Sequence, residues 1–495
     1  MSYILGISAG FHDAAVSVVS DTGDIVFAGH SERYSKKKND AVLHPDLLAE
    51  CCGYDFDTVA FYERPWMHNL QQWRSGQRLY SPWTTRSALR QHLGSWYQRP
   101  APREVSYSHH LSHAAAGFQT SPYQSAAVVV VDAIGELDTV SIFRAHYDRH
   151  GRAQYRRVWR QIYPNSIGLF YSAVTEHVGL KPMEEEYITM GMAAYGDDSA
   201  RPEIERLLVA DYDSVEFREN LHVGLPPGAL SGVDPHVVAA SAQAIAERFI
   251  LAVVNRAKEL TGETNLVYMG GVALNCLANR LLGEYFDGIW IMPNPGDAGS
   301  SLGAAALAYG KQLNWIDPYL GHVIPGPYPV ESALQALLTD RIVGVASGAA
   351  EFGPRALGNR SLLADPRGND IKDRVNEIKK RQKFRPFAPV ILSECAGEYF
   401  DMPTGWHLSP YMQSVSRCQR PDLYPAIVHH DGTSRVQTVS PDSRSGIRQL
   451  LEAWYAETGC PMLLNTSLNI RGEPMVNDQR DADRFEKLYG VTVCS

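Results

Sequence analysis

The chain contains no long hydrophobic run and no excess of positive charge. Its 495 residues include no uninterrupted apolar stretch of about 18 residues, the length that a membrane-spanning helix needs. The N-terminus has a strand pattern rather than the charged and apolar regions of a signal peptide. The formal net charge is -9 at pH 7, which argues against a nucleic-acid-binding surface. From these absences we expect a cytoplasmic protein that neither crosses a membrane nor binds nucleic acid.

Cysteine is scarce and irregularly placed. The seven cysteines are odd in number and include no Cys-x-x-Cys pair. They occupy positions 51, 52, 276, 395, 418, 460 and 494. This distribution argues against a zinc knuckle or a disulfide framework, and it is typical of a protein in a reducing compartment.

The length and the strand and helix patterns predict an α/β protein of two domains. A chain of 495 residues is too long for one ordinary core. Proline and glycine are concentrated between residues 318 and 329, and a new apolar strand pattern begins at Arg341. We therefore expect a first domain at residues 1–339 and a second domain at residues 340–495.

A pattern of three strands joined by tight turns occurs twice in the first domain. The first set covers residues 3–8, 14–19 and 24–28, and the second covers residues 126–131, 137–143 and 155–162. The second set begins about 120 residues after the first. Such self-similarity predicts a duplicated β-β-β unit and two related halves with a cleft between them. Apolar residues at helical spacing predict a long helix over residues 237–261.

Two histidines at helical spacing form the first candidate site. His109 and His113 lie at i and i+4 and are followed by small residues that favour a helix. On a helix this spacing brings both rings to one face, about 5–6 Å apart at Cβ, as a divalent metal ion requires. The alternative is a histidine pair that only satisfies hydrogen bonds at a helix start. A second pair, His146 and His150, lies in a strand-and-turn pattern, where it does not share a helical face.

Carboxylates and glycines follow several predicted strands. Asp132 comes directly after the apolar run 126–131, and Asp297 lies in a Pro-Gly-Asp-Ala-Gly turn. Side chains at strand ends reach ligands in open α/β sheets, and imidazoles with carboxylates suit iron, manganese or zinc. The alternative for both aspartates is a capping role. The glycine turns at residues 6–13 and 270–275 have the form of anion-binding turns, although most such turns bind nothing.

Basic, amide and hydroxyl side chains recur in the second domain. Arginine pairs with phosphate through two parallel hydrogen bonds, lysine acts as a point charge, and side-chain amides recognise a planar amide. The candidates for these contacts are Arg355, Lys379, Arg381, Arg385, Arg435, Asn465, Ser467 and Asn469. This combination predicts a site for a small phosphorylated amide. For Lys380 and Lys383 we expect a solvated helix face instead.

Together these motifs resemble the carbamoyltransferase family, which includes nodulation-factor and antibiotic O-carbamoyltransferases. The likeness extends over nearly the whole chain. It implies a duplicated actin/hexokinase-like first domain and a YrdC-like second domain. It also implies a mononuclear metal, with Fe2+ expected and another divalent metal as the alternative, held at the positions that match His109, His113, Asp132 and Asp297. A nucleotide is expected beside Gly270, Gly271 and Asn275.

The same resemblance implies ATP-dependent O-carbamoyl transfer in two steps. In the second domain, carbamate released from carbamoyl phosphate attacks the α-phosphate of ATP, which is bound with Mg2+, and gives carbamoyl adenylate and pyrophosphate. In the first domain, a hydroxyl of a small secondary metabolite, as in antibiotic biosynthesis, attacks the carbonyl of that intermediate. His12 matches a histidine expected to accept the hydroxyl proton, and Asp13 is the second catalytic candidate. The expected partners are carbamoyl phosphate, ATP and the acceptor, and a homodimer is left open.

One position departs from the family pattern, and other functions stay open. The family usually has a lysine where this chain has Ile188 and Thr189, and Lys36, Lys37 or Lys38 is a candidate to replace its phosphate contact. A small-molecule kinase of the same superfold would release ADP and leave the second-domain motifs unused. An enzyme like the tRNA threonylcarbamoyl transferases would share the histidine pair, but the acidic charge argues against it. A non-catalytic nucleotide-binding scaffold would turn over no carbamoyl phosphate.

Overall fold

The structure is a computed structural model, which describes residues 2–74, 82–97, 101–381 and 387–495. Contacts divide the chain into two compact units of mixed α/β structure. Unit 1 comprises Met1–Glu32, Asn39–Ala278 and Leu282–Ile316, and unit 2 comprises Arg33–Lys38, Asn279–Leu281 and Asp317–Ser495. The proline- and glycine-rich segment 318–329, where the sequence predicts a boundary, lies close to Asp317, the start of the longest segment of unit 2. The predicted domain limit at residue 340 lies inside unit 2.

The first sheet of unit 1 begins with the predicted strand meander. Its strands are Tyr3–Ser8 (β1), Ala15–Ser20 (β2), Ile25–His30 (β3), Phe56–Phe61 (β4) and Arg103–Ser106 (β5). Their order across the sheet is β3-β2-β1-β4-β5, with β1 antiparallel to β2 and parallel to β4. Both faces of β1 and β2 are buried, which explains why their sequences are apolar almost throughout.

The second sheet of unit 1 repeats this topology. The strands that follow in unit 1 are Ser125–Gly135 (β6), Asp138–Tyr147 (β7), Ala153–Ile162 (β8), Val209–Asp211 (β9), Glu216–Phe217 (β10), Asn265–Met269 (β11) and Gly288–Trp290 (β12). Within the described ranges, the sheet has the order β12-β11-β6-β7-β8, and β9 and β10 form a separate ribbon. In each sheet an antiparallel meander is extended by two parallel strands. The predicted duplication of a β-β-β unit is confirmed.

Helices cover these sheets and connect their strands. They are Glu32–Ser35 (α1), Pro45–Ala49 (α2), Pro65–Arg74 (α3), Thr85–Leu93 (α4), His109–Thr120 (α5), Ile167–His177 (α6), Glu186–Met192 (α7), Arg201–Leu208 (α8), Pro235–Thr261 (α9), Cys276–Asn279 (α10) and Ser300–Tyr309 (α11). In α9, the predicted long helix is confirmed. Of the helices in the described residues, α9 is long and apolar enough to cross a membrane, but 61% of an apolar 18-residue stretch within it is buried inside the structure. It packs on α6, α8 and β6 as a core helix does.

Helices α5 and α11 pack closely on each other. A Cβ atom at Gly303 of α11 would lie 1.8 Å from the carbonyl oxygen of Ser112 of α5, so only glycine permits this approach. Helix α11 also packs on β1 and β2, where the hydroxyls of Ser301 and Ser17 lie 2.8 Å apart. This packing brings the start of α5 near the turn that precedes α11.

Unit 2 has a central mixed sheet with helices packed on it. Its strands are Tyr319–Ile324 (β13), Ile342–Ala346 (β14), Gly348–Glu351 (β15), Arg360–Ala364 (β16), Ala388–Leu392 (β17), Phe400–Asp401 (β18), Ser416–Cys418 (β19), Thr433–Ser434 (β20), Gln437–Val439 (β21), Met462–Ser467 (β22) and Val493–Cys494 (β23). The helices are Val330–Asp340 (α12), Asp370–Ile378 (α13), Ala396–Tyr399 (α14), Ile447–Thr458 (α15) and Gln479–Tyr489 (α16). The central order is β21-β17-β22-β16-β14-β23.

The proline- and glycine-rich segment near residue 320 is not a bare linker. It contains β13, which pairs with β15 in an antiparallel ribbon. The six residues of β13 include no proline, so their backbone N–H groups remain available for pairing. This pairing is why the segment packs with unit 2.

Candidate functional site

Four imidazole and carboxylate side chains converge in unit 1. His109 and His113 lie one turn apart at the start of α5, and Asp132 lies near the end of β6. Asp297 begins a short 3-10 turn directly before α11. One ligand atom from each residue lies within 4.8 Å of the others, and all four residues are buried. The four predicted ligands are therefore brought together.

The donor atoms are spaced like the ligands of one ion. Nε2 of His113 lies 3.1 Å from Nε2 of His109, 3.1 Å from Oδ2 of Asp132 and 3.2 Å from Oδ1 of Asp297. Nε2 of His109 lies 3.3 Å from each of the same two oxygens. Ligands bound at about 2.0–2.2 Å on adjacent corners of a tetrahedron or octahedron are about 2.8–3.6 Å apart. The spacing fits a first-row divalent ion.

The carbonyl of Pro295 selects the tautomer of His113. Nδ1 of His113 donates to this carbonyl oxygen at 3.0 Å. In a neutral imidazole, Nε2 then carries the lone pair, and it faces the carboxylate oxygens of Asp132 and Asp297. A lone pair that faces two anions is repelled unless a metal cation lies between them or Nε2 is protonated. The donor set therefore fits a metal ion.

The negative charge of the two aspartates favours a positive charge on the histidines or on an ion between them. Burial alone would lower the pKa of His109, but the negative charges of Asp297 and Asp132 hold that pKa well above its usual value. Burial also acts to lower the pKa of His113, but the same two carboxylates raise it above its usual value. Although burial acts in the opposite direction, the histidines hold the pKa of Asp132 well below its ordinary value. A metal ion must displace the histidine protons, so the metal affinity of such a site increases with pH.

The predicted glycine turn supports one of the ligands. Gly270 has a φ of 94°, and a Cβ atom there would lie 2.2 Å from the carbonyl oxygen of Val131. This close approach leaves the N–H of Gly271 3.4 Å from Oδ1 of Asp132, and the N–H of Ala133 donates to the same oxygen at 2.8 Å. Oδ2 of Asp132 is left to face the histidines. The turn predicted to lie beside a nucleotide thus also positions a metal ligand.

Asn275 lies in a side-chain network at the end of the same turn. Its amide exchanges two hydrogen bonds of 3.0 Å with the amide of Gln243 on α9. The hydroxyl of Tyr171 donates to Oε1 of Gln243 at 2.8 Å. These contacts orient Asn275, and its contact with a nucleotide stays a prediction.

Buried neutral residues occupy the position of the family lysine. Ile188 and Thr189 are both buried, and the hydroxyl of Thr189 lies 2.9 Å from that of Thr175. Lys36, one predicted replacement, belongs to unit 2 and donates to the carbonyl oxygen of Arg33 at 2.7 Å. Its ammonium group also pairs with the carboxylate of Asp481. The charge of Lys36 is therefore already compensated within unit 2.

His12 and Asp13 form a hydrogen-bonded pair after β1. Nδ1 of His12 lies 3.0 Å from Oδ2 of Asp13, and the two side chains are 28% and 25% exposed. Burial would lower the pKa of His12, but Asp13, Asp297 and Asp132 raise it to about 10. These carboxylates favour the protonated form of His12, and its role as the base stays a prediction. A divalent ion between Asp132 and Asp297 would offset their charge and lower the pKa of His12.

A second polar cluster surrounds Lys379 in unit 2. Lys379 follows α13 and is 7% exposed. Its ammonium group contacts the carbonyl and hydroxyl oxygens of Ser467 and Oδ1 of Asn469. The hydroxyl of Ser467 donates to Oδ1 of Asn469 at 2.7 Å. Three predicted binding residues thus lie in contact.

Asn465 lies on the same strand as Ser467 and has an unused acceptor. Its Nδ2 donates to Oε1 of Gln437 at 2.8 Å and to the carbonyl oxygen of Ala356 at 3.1 Å. Its Oδ1 is buried without a hydrogen-bond partner among the described residues, as is the hydroxyl of Ser361. Ser361 pairs in register with Ser467 on the neighbouring strand. Unpaired buried polar groups cost about 1–3 kcal/mol each, which favours a polar ligand here.

Arg435 follows β20 and contributes positive charge. Its Nε is buried and has no hydrogen-bond partner in the part of the chain that the structure describes. Burial and the positive charges of Arg435 and Lys372 outweigh the charge of Asp431 and lower the pKa of His429 to about 4. This environment favours an anionic group near Arg435.

The structure describes Arg381 but not Arg385. Nε of Arg381 donates to Oδ1 of Asn376 at 2.9 Å, and its guanidinium lies 4.3 Å from the centre of the Phe387 ring. These contacts hold the guanidinium plane in a fixed orientation. Arg385 lies outside the described residues, so its role stays a prediction.

Arg355 lies in a loop that a buried carboxylate closes. Oε1 of Glu351 accepts hydrogen bonds from the N–H groups of Leu357 at 2.8 Å and Asn359 at 3.0 Å. The side chain of Arg355 is half-buried in this loop. These two hydrogen bonds close the loop on the C-terminal side of Arg355.

Sequence reasoning missed several groups that shape these clusters. The carbonyl of Pro295 has no side-chain signal, and Gln243 and Gln437 are single polar residues in buried elements. Glu63 is buried and follows the apolar strand β4, which is the same signal that identified Asp132. That signal could have found Glu63.

The protein has two α/β units, and unit 1 contains a buried cluster of two histidines and two aspartates that can bind a divalent metal ion. Residues 58–225 and 228–306 match the family model for the carbamoyltransferase N-terminus, and residues 334–493 match that for the carbamoyltransferase C-terminus. The chain belongs to the carbamoyltransferase family, and it is a carbamoyltransferase enzyme.

The chain is similar to two curated proteins over most of its length. The chain is 31% identical to nodulation protein NolNO of Sinorhizobium fredii, over 95% of this chain and 76% of that protein. It is 33% identical to an uncharacterised protein of Synechocystis, over 98% of this chain and 94% of that protein. Among solved structures, the activator of 2-hydroxyisocaproyl-CoA dehydratase from Clostridium difficile aligns over 62% of this chain and 94% of its own, with 14% identity and a TM-score of 0.34.

Proposed function

We propose that this carbamoyltransferase is ATP-dependent and transfers the carbamoyl group of carbamoyl phosphate to a hydroxyl of a small molecule. In unit 2, carbamoyl phosphate and water give carbamate and inorganic phosphate. A carbamate oxygen then attacks the α-phosphate of ATP, and pyrophosphate leaves. In unit 1, the acceptor oxygen attacks the carbonyl carbon of carbamoyl adenylate, AMP leaves, and the hydroxyl proton goes to a base.

The observation that carries this proposal is the cluster of His109, His113, Asp132 and Asp297. An ion held there would act as a Lewis acid on an oxygen of the carbamoyl donor, and Fe2+ or another first-row divalent ion suits the donors. The protein fixes the donors through the Pro295 carbonyl and the backbone N–H groups of Ala133 and Gly271. All four residues are buried, so an ion held there would have little contact with bulk water.

The polar groups of unit 2 support the activation step. Lys379 and Arg435 offer positive charge for phosphate, and ATP is expected to arrive with Mg2+. The unpaired Oδ1 of Asn465 accepts from an N–H donor such as the amide of a carbamoyl group. A phosphorylated amide satisfies both kinds of group at once.

The proposed fold follows from the two sheets of unit 1. Their shared topology, with a meander extended by two parallel strands, supports an actin/hexokinase-like assignment. The YrdC-like assignment of unit 2 rests on the family resemblance and is a proposal as well. Both assignments agree with a nucleotide site in each unit.

The decisive experiment follows the adenine product. The full-length protein is incubated with carbamoyl phosphate, ATP labelled at the α-phosphate, Mg2+, Fe2+ and a panel of aminoglycoside, nucleoside and polyketide alcohols. We expect AMP and pyrophosphate in equal amounts, with carbamoylated acceptor formed in proportion. Production of ADP would instead assign a kinase. In a parallel incubation with added tRNA and carbamoyl phosphate labelled at its carbonyl carbon, transfer of that carbon label to tRNA would assign a tRNA-modifying enzyme. Absence of any turnover across the panel would contradict the proposal.

The His12–Asp13 pair predicts a pH effect. As a base, His12 acts only when neutral, so kcat/KM for the acceptor rises with pH through its pKa. Asp13 raises that pKa, and replacing Asp13 by asparagine removes its charge. The rising limb should therefore move to lower pH, by about 1 unit or more. The measurement is the pH profile of kcat/KM at saturating metal.

Asparagine is compatible with the left-handed backbone conformation at Asp13, where φ is 55°. The matched control is Asp21→Asn, which removes an exposed carboxylate from a turn in the same unit. Its pH profile should equal that of the unmodified protein. An unchanged limb in Asp13→Asn would show that His12 is not the titrating base.

A further inference from the structure

The buried carboxylate of Glu63 faces two histidine rings. Glu63 follows β4 and is 6% exposed. Its Oε2 lies 3.7 Å from Nδ1 of His109, and its Oε1 lies 3.9 Å from Nδ1 of His68. Among the described residues, no arginine or lysine forms an ion pair with Glu63. A carboxylate buried in this way is costly unless it serves a partner.

His109 requires an acceptor at its outer nitrogen. When Nε2 of a neutral imidazole binds a metal ion, Nδ1 carries the proton and has to donate it. Nδ1 of His109 is buried and lacks a hydrogen-bond partner within the described ranges. For His113 the carbonyl of Pro295 fills this role at 3.0 Å. For His109 the carboxylate of Glu63 comes into hydrogen-bond range after a movement of about 0.5–1 Å.

We propose that Glu63 is a positioning residue of the metal centre, which accepts a hydrogen bond from Nδ1–H of His109 and so directs Nε2 toward the ion. Glu63 faces Nδ1, while Asp132 and Asp297 face Nε2, so Glu63 acts through His109 and does not touch the reacting atoms. Such a carboxylate also makes the imidazole a stronger ligand. The inference rests on the metal centre of the proposed function and adds a residue to it.

His68 faces Glu63 from its other side. Gln72 donates through its Nε2 to Nε2 of His68 at 3.1 Å, which leaves the proton of His68 on Nδ1, facing Glu63. Two N–H groups thus face the two oxygens of one carboxylate. The ring of His68 lies 6.3 Å from the ring of Phe11, the neighbour of His12 in the chain. Glu63 therefore lies between the ring of a metal ligand, His109, and the ring of His68.

Titration of the metal-free, full-length protein with Co2+ tests this role. Co2+ reports coordination through its visible d–d absorption, so that affinity and geometry are read without turnover. We expect Glu63→Gln to weaken Co2+ binding about 10–100-fold and to change the d–d spectrum. The thermal midpoint of the metal-free variant should stay close to that of the unmodified protein, which separates positioning from folding.

Glu263→Gln is the matched control. Glu263 is also a buried carboxylate of unit 1, but it accepts hydrogen bonds from Arg144 and Ser125 rather than facing a histidine. Its replacement should leave the Co2+ affinity and spectrum unchanged. Equal Co2+ affinity and spectra for Glu63→Gln and the unmodified protein would overturn the assignment.

A crystal structure of the Co2+-loaded, unmodified protein decides the matter even if Glu63→Gln does not fold. We expect Nδ1 of His109 within about 2.7–3.2 Å of a Glu63 oxygen. A longer separation, or another acceptor at Nδ1, would overturn the proposal. If the unmodified protein binds no Co2+, the metal centre itself is wrong, whereas binding without dependence on Glu63 rejects only the positioning role.

Discussion

Replacing His113 by alanine is expected to abolish carbamoyl transfer and metal binding while sparing the activation of carbamoyl phosphate. His113 is fully buried, and its Nε2 lies within 3.2 Å of one donor atom from each of the other three residues. Loss of this donor leaves two carboxylates and one imidazole around an ion. Because a bound metal contributes several kcal/mol to charge stabilisation, transfer should fall about 1,000-fold or more.

Three measurements check this expectation. Metal content is determined by elemental analysis, transfer by carbamoylated product, and activation by carbamoyl-phosphate-dependent exchange of pyrophosphate into ATP. Exchange should remain within about twofold of the unmodified rate, because the metal-site residues belong to unit 1 and the residues assigned to activation belong to unit 2.

His150→Ala is the matched control for this variant. His150 belongs to the second His-x-x-x-His pair, which the structure places on a strand and turn. Its loss should change neither metal content nor transfer. Retention of both properties in His113→Ala would contradict the metal site.

Replacing Arg435 by alanine is expected to impair the activation of carbamoyl phosphate rather than metal binding. Nε of Arg435 is buried and has no hydrogen-bond partner within the described residues, so its donors suit an anionic ligand. A hydrogen bond to a charged group contributes about 1.5–3 kcal/mol, so pyrophosphate exchange should fall about 10–100-fold. Metal content should not change, because the four metal-site residues belong to unit 1.

Arg417→Ala provides the control for charge alone. Arg417 lies on β19, opposite Thr433 of β20, and its side chain is exposed. Its removal should leave the exchange rate unchanged. If Arg435→Ala and Arg417→Ala behave alike, the anion site does not include Arg435.

Opposite effects of these two variants would separate the reaction into two independent halves. The His113 variant would activate without transferring, and the Arg435 variant would bind metal without activating. A single-step kinase predicts no such separation, because one site would perform the whole reaction. The pair of variants therefore tests the division of chemistry between the units.

Local patterns in the sequence predict the helix that carries the two histidines and the strand that carries Asp132. The spacing of His109 and His113 defines a helical face, and the apolar run before Asp132 defines a strand with a carboxylate near its end. The repeated meander was visible because strand alternation and turns extend over a few residues. Each of these features depends on neighbours along the chain.

Other features required the folded chain. The hydrogen bond from His113 to the carbonyl of Pro295 joins residues far apart in sequence and involves no side chain of Pro295. The raised pKa of His12 comes from Asp13 together with Asp297 and Asp132, which lie on other elements. The pairing of β13 depends on β15, so a proline-rich segment that resembles a linker became part of unit 2.

Helix periodicity and strand alternation are local properties of the chain, so they predict the element types, the internal repeat and the residue types available for chemistry. The tertiary structure decided which of those residues meet, because the close packing of α5 on α11 and the course of β6 set the distances between His113, Asp132 and Asp297. It alone placed Glu63 behind His109, since only packing brings the end of β4 to the start of α5.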